Sequence, residues 1–237
     1  MNLLNNVLVL DSETTGICKK DQVIQLSVLK LNHNPVFNEY LNTEAEIHPK
    51  AQEVHGITKE MLSNKKSILD HADDLVSILK DKVLMGYNVK FDIDRINASG
   101  ALYLYEEAKL EELITSDKTF AFMHQHGLTV PYKSSIDLMA AFAAHNAEWI
   151  ETKKCWKNKK LSFALDAFGI SSYFQDGDWH ELTELHNSLA DTRATIELFF
   201  SLLTYADVTA WGNTPVHELF DMTKVAFEGE VASIRLE

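Results

Sequence analysis

Residues 7–31 read VLVLDSETTGICKKDQVIQLSVLKL, and this stretch decides the fold. Four apolar residues, Val7 to Leu10, run into Asp11. Glu13 follows, then Thr14, Thr15 and Gly16, and a second apolar segment opens at Val23. Short apolar runs bounded by turn residues read as buried strands. Side chains alternate along a strand, so Asp11 and Glu13 fall on the same side. Like charges that close repel, and one carboxylate responds by raising its pKa. The pair has a cost and no return unless something positive sits between them.

The chain has 237 residues, 46% of them hydrophobic, enough for one large domain or one domain with an appendage. The longest apolar run, Leu138 to Ala144, has seven residues, far short of a membrane span. Met1 to Asn6 carries no basic region and no signal-peptide core. Cys18 and Cys155 are the only cysteines, too few for a disulfide framework or a cysteine zinc site. A reducing, cytoplasmic setting is the expectation. The net charge of −13 opposes non-specific nucleic-acid binding, because phosphates repel an acidic surface. One segment runs against that average: KKCWKNKK, residues 153–160, places five lysines around Trp156.

Strands are expected at Val7–Asp11, Val23–Leu31, Val36–Leu41 and Val83–Gly86, with a turn at His33-Asn34-Pro35. Helices are expected over Ile68–Lys80, about Phe91–Leu104, Leu161–Phe168 and about Leu189–Thr204, with Gly169 closing the third. Ile136–Ala140 reads as a strand or the start of a helix. Residues 105–133 carry no clear pattern. Strands followed by helices in this order predict an α/β fold with a mixed central sheet.

Two further acids fall at the ends of core elements. Asp92 closes GYNVKFD, just after the strand at Val83–Gly86, and Asp191 opens the last strong helix, five residues after His186. Strand ends and helix starts are where α/β sheets build sites. Four carboxylates without a cysteine ligand suit hard divalent cations, Mg²⁺ or Mn²⁺. A bound cation would let Asp11 and Glu13 share one side of a sheet.

Three motifs, Asp11-Ser12-Glu13-Thr14-Thr15-Gly16, Asn88-Val89-Lys90-Phe91-Asp92 and His186-Asn187-Ser188-Leu189-Ala190-Asp191, stand in this order. With Val54-His55-Gly56-Ile57-Thr58 and Lys160–Ile170 they resemble the DnaQ-like 3′→5′ exonucleases, in the subgroup with four acids and a histidine. The likeness covers about residues 5–204. Tyr87 departs from it, since many members carry histidine there. The resemblance implies a ribonuclease H-like fold, a mixed five-stranded sheet flanked by helices, with residues 1–204 as the exonuclease domain and 205–237 as a C-terminal extension. It implies two Mg²⁺ or Mn²⁺ ions, with Asp11 bridging both, Glu13 and Asp191 holding the ion on the nucleophile side, and Asp92 acting mostly through water. His186 would be the general base. Ser12, Thr14, Thr15, His55, Asn88 and Phe91 would contact substrate. The expected substrate is the 3′ end of single-stranded DNA, favoured over RNA. The expected partners are a second copy or a polymerase, and no membrane.

Each residue also has a plainer reading. Asp11 alone is a turn acid, and Asp191 alone is an acid favoured by the helix dipole. His186-Asn187-Ser188 alone is a capping stretch. Asp92 has Lys90 and Arg95 nearby in sequence as partners, and His55 reads as a solvated loop histidine. A catalytically silent nucleic-acid-binding or polymerase-associated subunit is the competing function, but it would be expected to have lost at least one of these groups. The lysine segment is either a solvated loop or a clamp on the substrate backbone, with Lys153, Lys154 and Lys157 on phosphates and Trp156 on a base. Trp156 also reads as a core residue that the lysines merely flank.

Overall fold

Val7–Thr14 forms β1, which pairs on one side with antiparallel β2 (Val23–Lys30) and on the other with parallel β4 (Val83–Gly86). β3 (Pro35–Tyr40) extends the sheet beyond β2, and β5 (Ser134–Asp137) extends it beyond β4. The order is β3-β2-β1-β4-β5, a mixed five-stranded sheet as expected. These features come from a computed structural model that describes residues 6–108, 132–182 and 185–205; for 101–108 and 204–205 it describes only the helical backbone. The C-terminal extension and most of the unpatterned segment 105–133 lie outside the described residues.

β1 runs further than its apolar residues suggest. Asp11, Ser12 and Glu13 stay paired with Ser27, Leu26 and Gln25, so the strand carries its acids as part of the ladder rather than in a turn. The alternation of β1 divides the core. Val7 and Val9 pack with Val83, Met85, Phe142 and the apolar face of α7 (Ser188–Tyr205). Leu8 and Leu10 pack on the other side with Leu84, Val89, Ile93 and Ile96, the last three from α4 (Val89–Ala108). Each buried side chain of this size contributes roughly 1.5–3 kcal/mol.

The strand at Val83–Gly86 is found with its expected bounds. Gly86 is required by closeness: a Cβ there would stand 2.8 Å from the Leu10 carbonyl oxygen. The segment Ile136–Ala140 is both of its readings, because β5 ends at Asp137 and a helix starts at the next residue. That helix, α5 (Leu138–Asn146), is capped by the Asp137 carboxylate, which accepts from the Met139 and Ala140 amides at 2.9 and 3.4 Å. The expected helix over 68–80 splits into a 3₁₀ turn, Leu69–His71, and α3 (Ala72–Leu79). α6 (Leu161–Phe168) ends at Gly169, which takes a left-handed φ of 66° as its closing residue.

Four features went unpredicted. α1 (Pro49–His55) and α2 (Lys59–Leu62) are too short to show a periodic pattern. Two hairpins stand apart from the main sheet: β6 (Trp149–Ile150) with β7 (Cys155–Trp156), and β8 (Ser172–Gln175) with β9 (Asp178–Glu181). Their strands have two or four residues, below what alternation can reveal. Among the described residues, no helix is long and apolar enough to cross a membrane.

Candidate active site

The sheet delivers its acids from two sides. Asp11 and Glu13 follow Val7 and Val9 on the face covered by α7, and Asp191 lies in the first turn of that helix. Carboxylate oxygens of Asp11, Glu13 and Asp191 all lie within 4.8 Å of one another. Ser12 points to the opposite face, where Asp92 opens α4. The Ser12 amide and hydroxyl both donate to Asp92 Oδ1, at 3.0 and 2.7 Å. The suggested pairings of Asp92 with Lys90 or Arg95 are not formed. Lys90 bonds Asp94 instead, and Arg95 donates to the Cys18 carbonyl.

The environment of this cluster raises every one of its carboxylates. Burial, then the charges of Asp92, Asp191 and Glu13, hold Asp11 well above the usual carboxylate range. Burial, then Asp191 and Asp92, push Glu13 up to about 8. Burial raises Asp191 too, against the lowering by the His186 amide and charge. Burial raises Asp92, and the two Ser12 hydrogen bonds work in the opposite direction. Carboxylates gathered in one place and pushed toward protonation, by loss of solvent first and by one another second, fit a divalent cation, whose charge would take the place of the protons.

Buried polar contacts set where Asp191 stands. Ser188, fully buried at the start of α7, receives the Gln25 side chain: its amide donates to Gln25 Oε1 at 3.2 Å. Its hydroxyl lies 2.7 Å from that of Ser27, which in turn bonds Asn38 at 2.9 Å. The Thr192 hydroxyl donates back to the Ser188 carbonyl at 2.6 Å. Gln25 faces Glu13 across the ladder, so one strand pair positions two of the clustered carboxylates and the helix that supplies the third.

His186 takes a left-handed φ of 78° just before α7, and its exposed ring makes no hydrogen bond among the described residues. Only its backbone amide approaches Asp191, at 3.3 and 3.4 Å. Asn187 does the capping that the plainer reading gave to this stretch, accepting from the Leu189 amide at 3.1 Å.

Beside Ser12 and Glu13 opens a groove of about 570 Å³, with Ile17, Val54, His55, Phe91 and Lys50 among its walls. Ile17 is 88% exposed and Val54 53%. Sequence reasoning passed over Ile17; the available signal was a lone large aliphatic in the polar run GICKK. His55 is not merely solvated. Its Nδ1 accepts from the Ile57 amide at 3.0 Å, which makes Nε2 the protonated nitrogen, 3.3 Å from the Thr14 carbonyl. Burial lowers its pKa, so it is held neutral, clamping α1 to the end of β1.

The remaining expected contacts divide. Phe91 reaches the groove. Asn88 is exposed at a left-handed φ of 71°, its amide bonded to Asp137 at 3.0 Å. Thr14 and Thr15 are buried, and their hydroxyls are taken up within the turn, by the Gly16 carbonyl and the Gln22 amide. Lys153, Lys154, Trp156 and Lys157 stand exposed on the β6–β7 hairpin, and Trp156 is therefore not a core residue.

The RNase_T exonuclease family model matches residues 8–147. Residues of the chain are 35% identical over 89 positions to a PolC-type DNA polymerase III of Thermotoga maritima, covering 36% of this chain and 6% of that one. They are 30% identical over 112 positions to the epsilon subunit of DNA polymerase III from Rickettsia felis, covering 45% of this chain and 49% of the subunit. E. coli exonuclease I, solved with a dT13 oligonucleotide, superposes over 84% of this chain and 41% of its own, at a TM-score of 0.55 and 22% identity, which shows the shared fold. With its sheet order, its carboxylates at the strand and helix ends and this family match over more than half its length, the chain belongs to the DnaQ-like 3′–5′ exonuclease family.

Proposed function

We propose that the chain removes nucleoside monophosphates from the 3′ end of single-stranded nucleic acid, with DNA favoured over RNA. One observation carries this reading: three half-buried carboxylates gathered within 4.8 Å at the end of the central strand, with raised pKa values and no cationic side chain among them. Asp11, Glu13 and Asp191 would hold two Mg²⁺ or Mn²⁺ ions, with Asp92 contributing through water. Bound there, such ions lower the pKa of a water and offset charge on the leaving 3′-oxygen.

The protein's own groups supply the rest. The His186 imidazole would take the proton of the attacking water. Its ring is exposed and approaches from the loop ahead of α7, so it can turn toward a bound strand. The groove beside Glu13 has the volume of a small-ligand site. Ile17, Val54 and Phe91 offer apolar surface to the terminal base and sugar, and His55 keeps the groove wall in register with β1.

The names of the relatives favour DNA and a polymerase partner, and the dT13 complex of the exonuclease I neighbour favours a single strand. The chain spans about half the epsilon subunit it matches, and a small part of the PolC-type polymerase. The competing reading is a silent, polymerase-associated subunit; the presence of all four acids and His186 speaks against it. Digestion of 3′-labelled and 5′-labelled single strands of DNA and RNA, with Mg²⁺ or Mn²⁺, tests the proposal. Release of labelled mononucleotide from the 3′ label at once, and from the 5′ label only last, is the expected result. No release from either strand with either metal rules it out.

A further inference from the structure

The β6–β7 hairpin is a poor structural element on its own terms. Each strand has two residues, and the hairpin pairs with no strand of the central sheet. Such isolated hairpins are marginal in water. Yet it presents two large aromatic rings to solvent. Trp149 and Trp156 lie directly opposite each other, ring centroids 5.0 Å apart at 75°, and are 47% and 40% exposed.

The charge around these rings is opposite to that of the whole chain. Residues 148–160 hold five lysines against two carboxylates, in a protein of net charge −13. The two carboxylates are occupied. Glu148 receives both Lys157 and Lys159, and Glu151 receives Lys154 and the Trp149 indole. Lys153 and Lys160 carry no ion pair among the described residues. The position is fixed as well: the Tyr87 hydroxyl donates to the Lys159 carbonyl at 2.8 Å. Tyr87 follows the last residue of β4, at the edge of the sheet where parallel β1 ends in its acids.

We infer that this hairpin is a second contact surface for the substrate, which stacks and charge-pairs the single strand upstream of its 3′ end, with Glu148 and Glu151 standing in for phosphates when no strand is bound. The inference rests on the exonuclease reading for its substrate class. Ions at the acid cluster can hold the scissile phosphate but not the nucleotides before it. Exposed ion pairs are weak enough for a phosphate to exchange into them. Two lysines converging on Glu148 are already spaced to grip one anion. Exposed indoles accept any base, because every base has a stacking face.

The test is binding of a long oligothymidylate and of a dinucleotide, against salt, by the full chain carrying Asp191→Asn to prevent cleavage. Replacing Lys153, Lys154 and Lys157 together by Gln should lower the salt slope on the long strand by about 0.7 for each phosphate no longer neutralised. Trp156→Leu should weaken the long strand by roughly 5- to 100-fold. Glu148→Gln, which releases two lysines, should tighten it, a change of sign that a structural role for the pair would not produce. Trp149→Phe keeps a ring pair in the hairpin and should retain most of the binding if Trp156→Leu acts by stacking rather than by unfolding. An unchanged slope in the triple variant overturns the inference, as does weakened binding in Glu148→Gln. Cleavage by the unaltered chain is read separately. If it cuts strands while the hairpin variants bind like the parent, the hairpin idea fails alone. If it cuts nothing while the variants shift the slope, the exonuclease reading fails alone.

Discussion

The acid cluster and the lysine hairpin are opposites in every physical respect. At the end of β1, groups of one sign are gathered half-buried, and loss of solvent, then the charges of Asp191 and Asp92, raise Asp11 and Glu13. On the hairpin, groups of both signs are already matched, Lys157 and Lys159 to Glu148 and Lys154 to Glu151, and all of them but Lys159 are exposed. The first arrangement stores an unmet need for positive charge, which a divalent cation would meet. The second stores almost nothing, so what binds there can come and go. A nuclease that steps along a strand needs both kinds of contact.

Removing the buried charge should have the largest effect. Asp11→Asn or Asp191→Asn should lower hydrolysis by about 10³-fold or more, the several kcal/mol of charge stabilisation that a missing metal takes with it. Circular dichroism should show the fold intact, and near-normal rates with Mg²⁺ would break the comparison at its stronger end. His186→Ala should slow the chemical step by about 10²–10⁴-fold while oligonucleotide affinity changes little. If single-turnover rate and affinity fall together, His186 holds substrate instead.

The stored repulsion should also be visible in pH dependence. Glu13 is protonated in the folded, metal-free protein up to about 8, whereas an unfolded glutamate ionises near 4.5. Between those values the folded state binds the extra proton, so stability falls as pH rises and levels off above about 8. Thermal melts in chelator should therefore decline across that window, and added Mg²⁺ should flatten the decline. Glu13→Gln should melt higher than the parent at the alkaline end, by about 2–4 °C for each kcal/mol of repulsion removed. A melting temperature that rises with pH in chelator would contradict the cluster's charge balance.

The smallest effect belongs to the hairpin pairs. Glu151→Gln removes an ion pair between two largely exposed side chains and should leave the urea midpoint of unfolding nearly unchanged. A larger destabilisation would mean that these pairs build the hairpin and are not available for exchange.

The acid cluster was legible because its chemistry is local. Asp11 and Glu13 sit two residues apart on a strand, and Asp191 announces itself at a helix start after His186. What could not be read was which side each acid comes from. Asp92 reaches Ser12 from the α4 face, a contact across 80 residues that no motif spacing encodes. The polar residues of β2 were equally opaque: Gln25 and Ser27 are 3% and 0% exposed, and their reason for being there is Ser188, 163 and 161 residues away. α1 was readable in hindsight, since HPKAQEVHG carries Pro49 at its first turn and Gly56 at its end, the signals that bound a short helix. The Trp149–Trp156 pair was hidden for the opposite reason, as its two rings meet only through a strand pairing too short to predict.

The Gln25–Ser188 contact has a consequence for how the protein comes into being. Asp11 leaves the ribosome long before Asp191, and the contacts that seat α7 reach back across 163 residues. A nascent chain, or one cut anywhere before α7, has only two of the clustered carboxylates and lacks the helix that covers the Val7–Val9 face of the sheet. The hydrolysis proposed above should therefore be absent from a chain that ends before Asp191, since the third carboxylate arrives only with that helix.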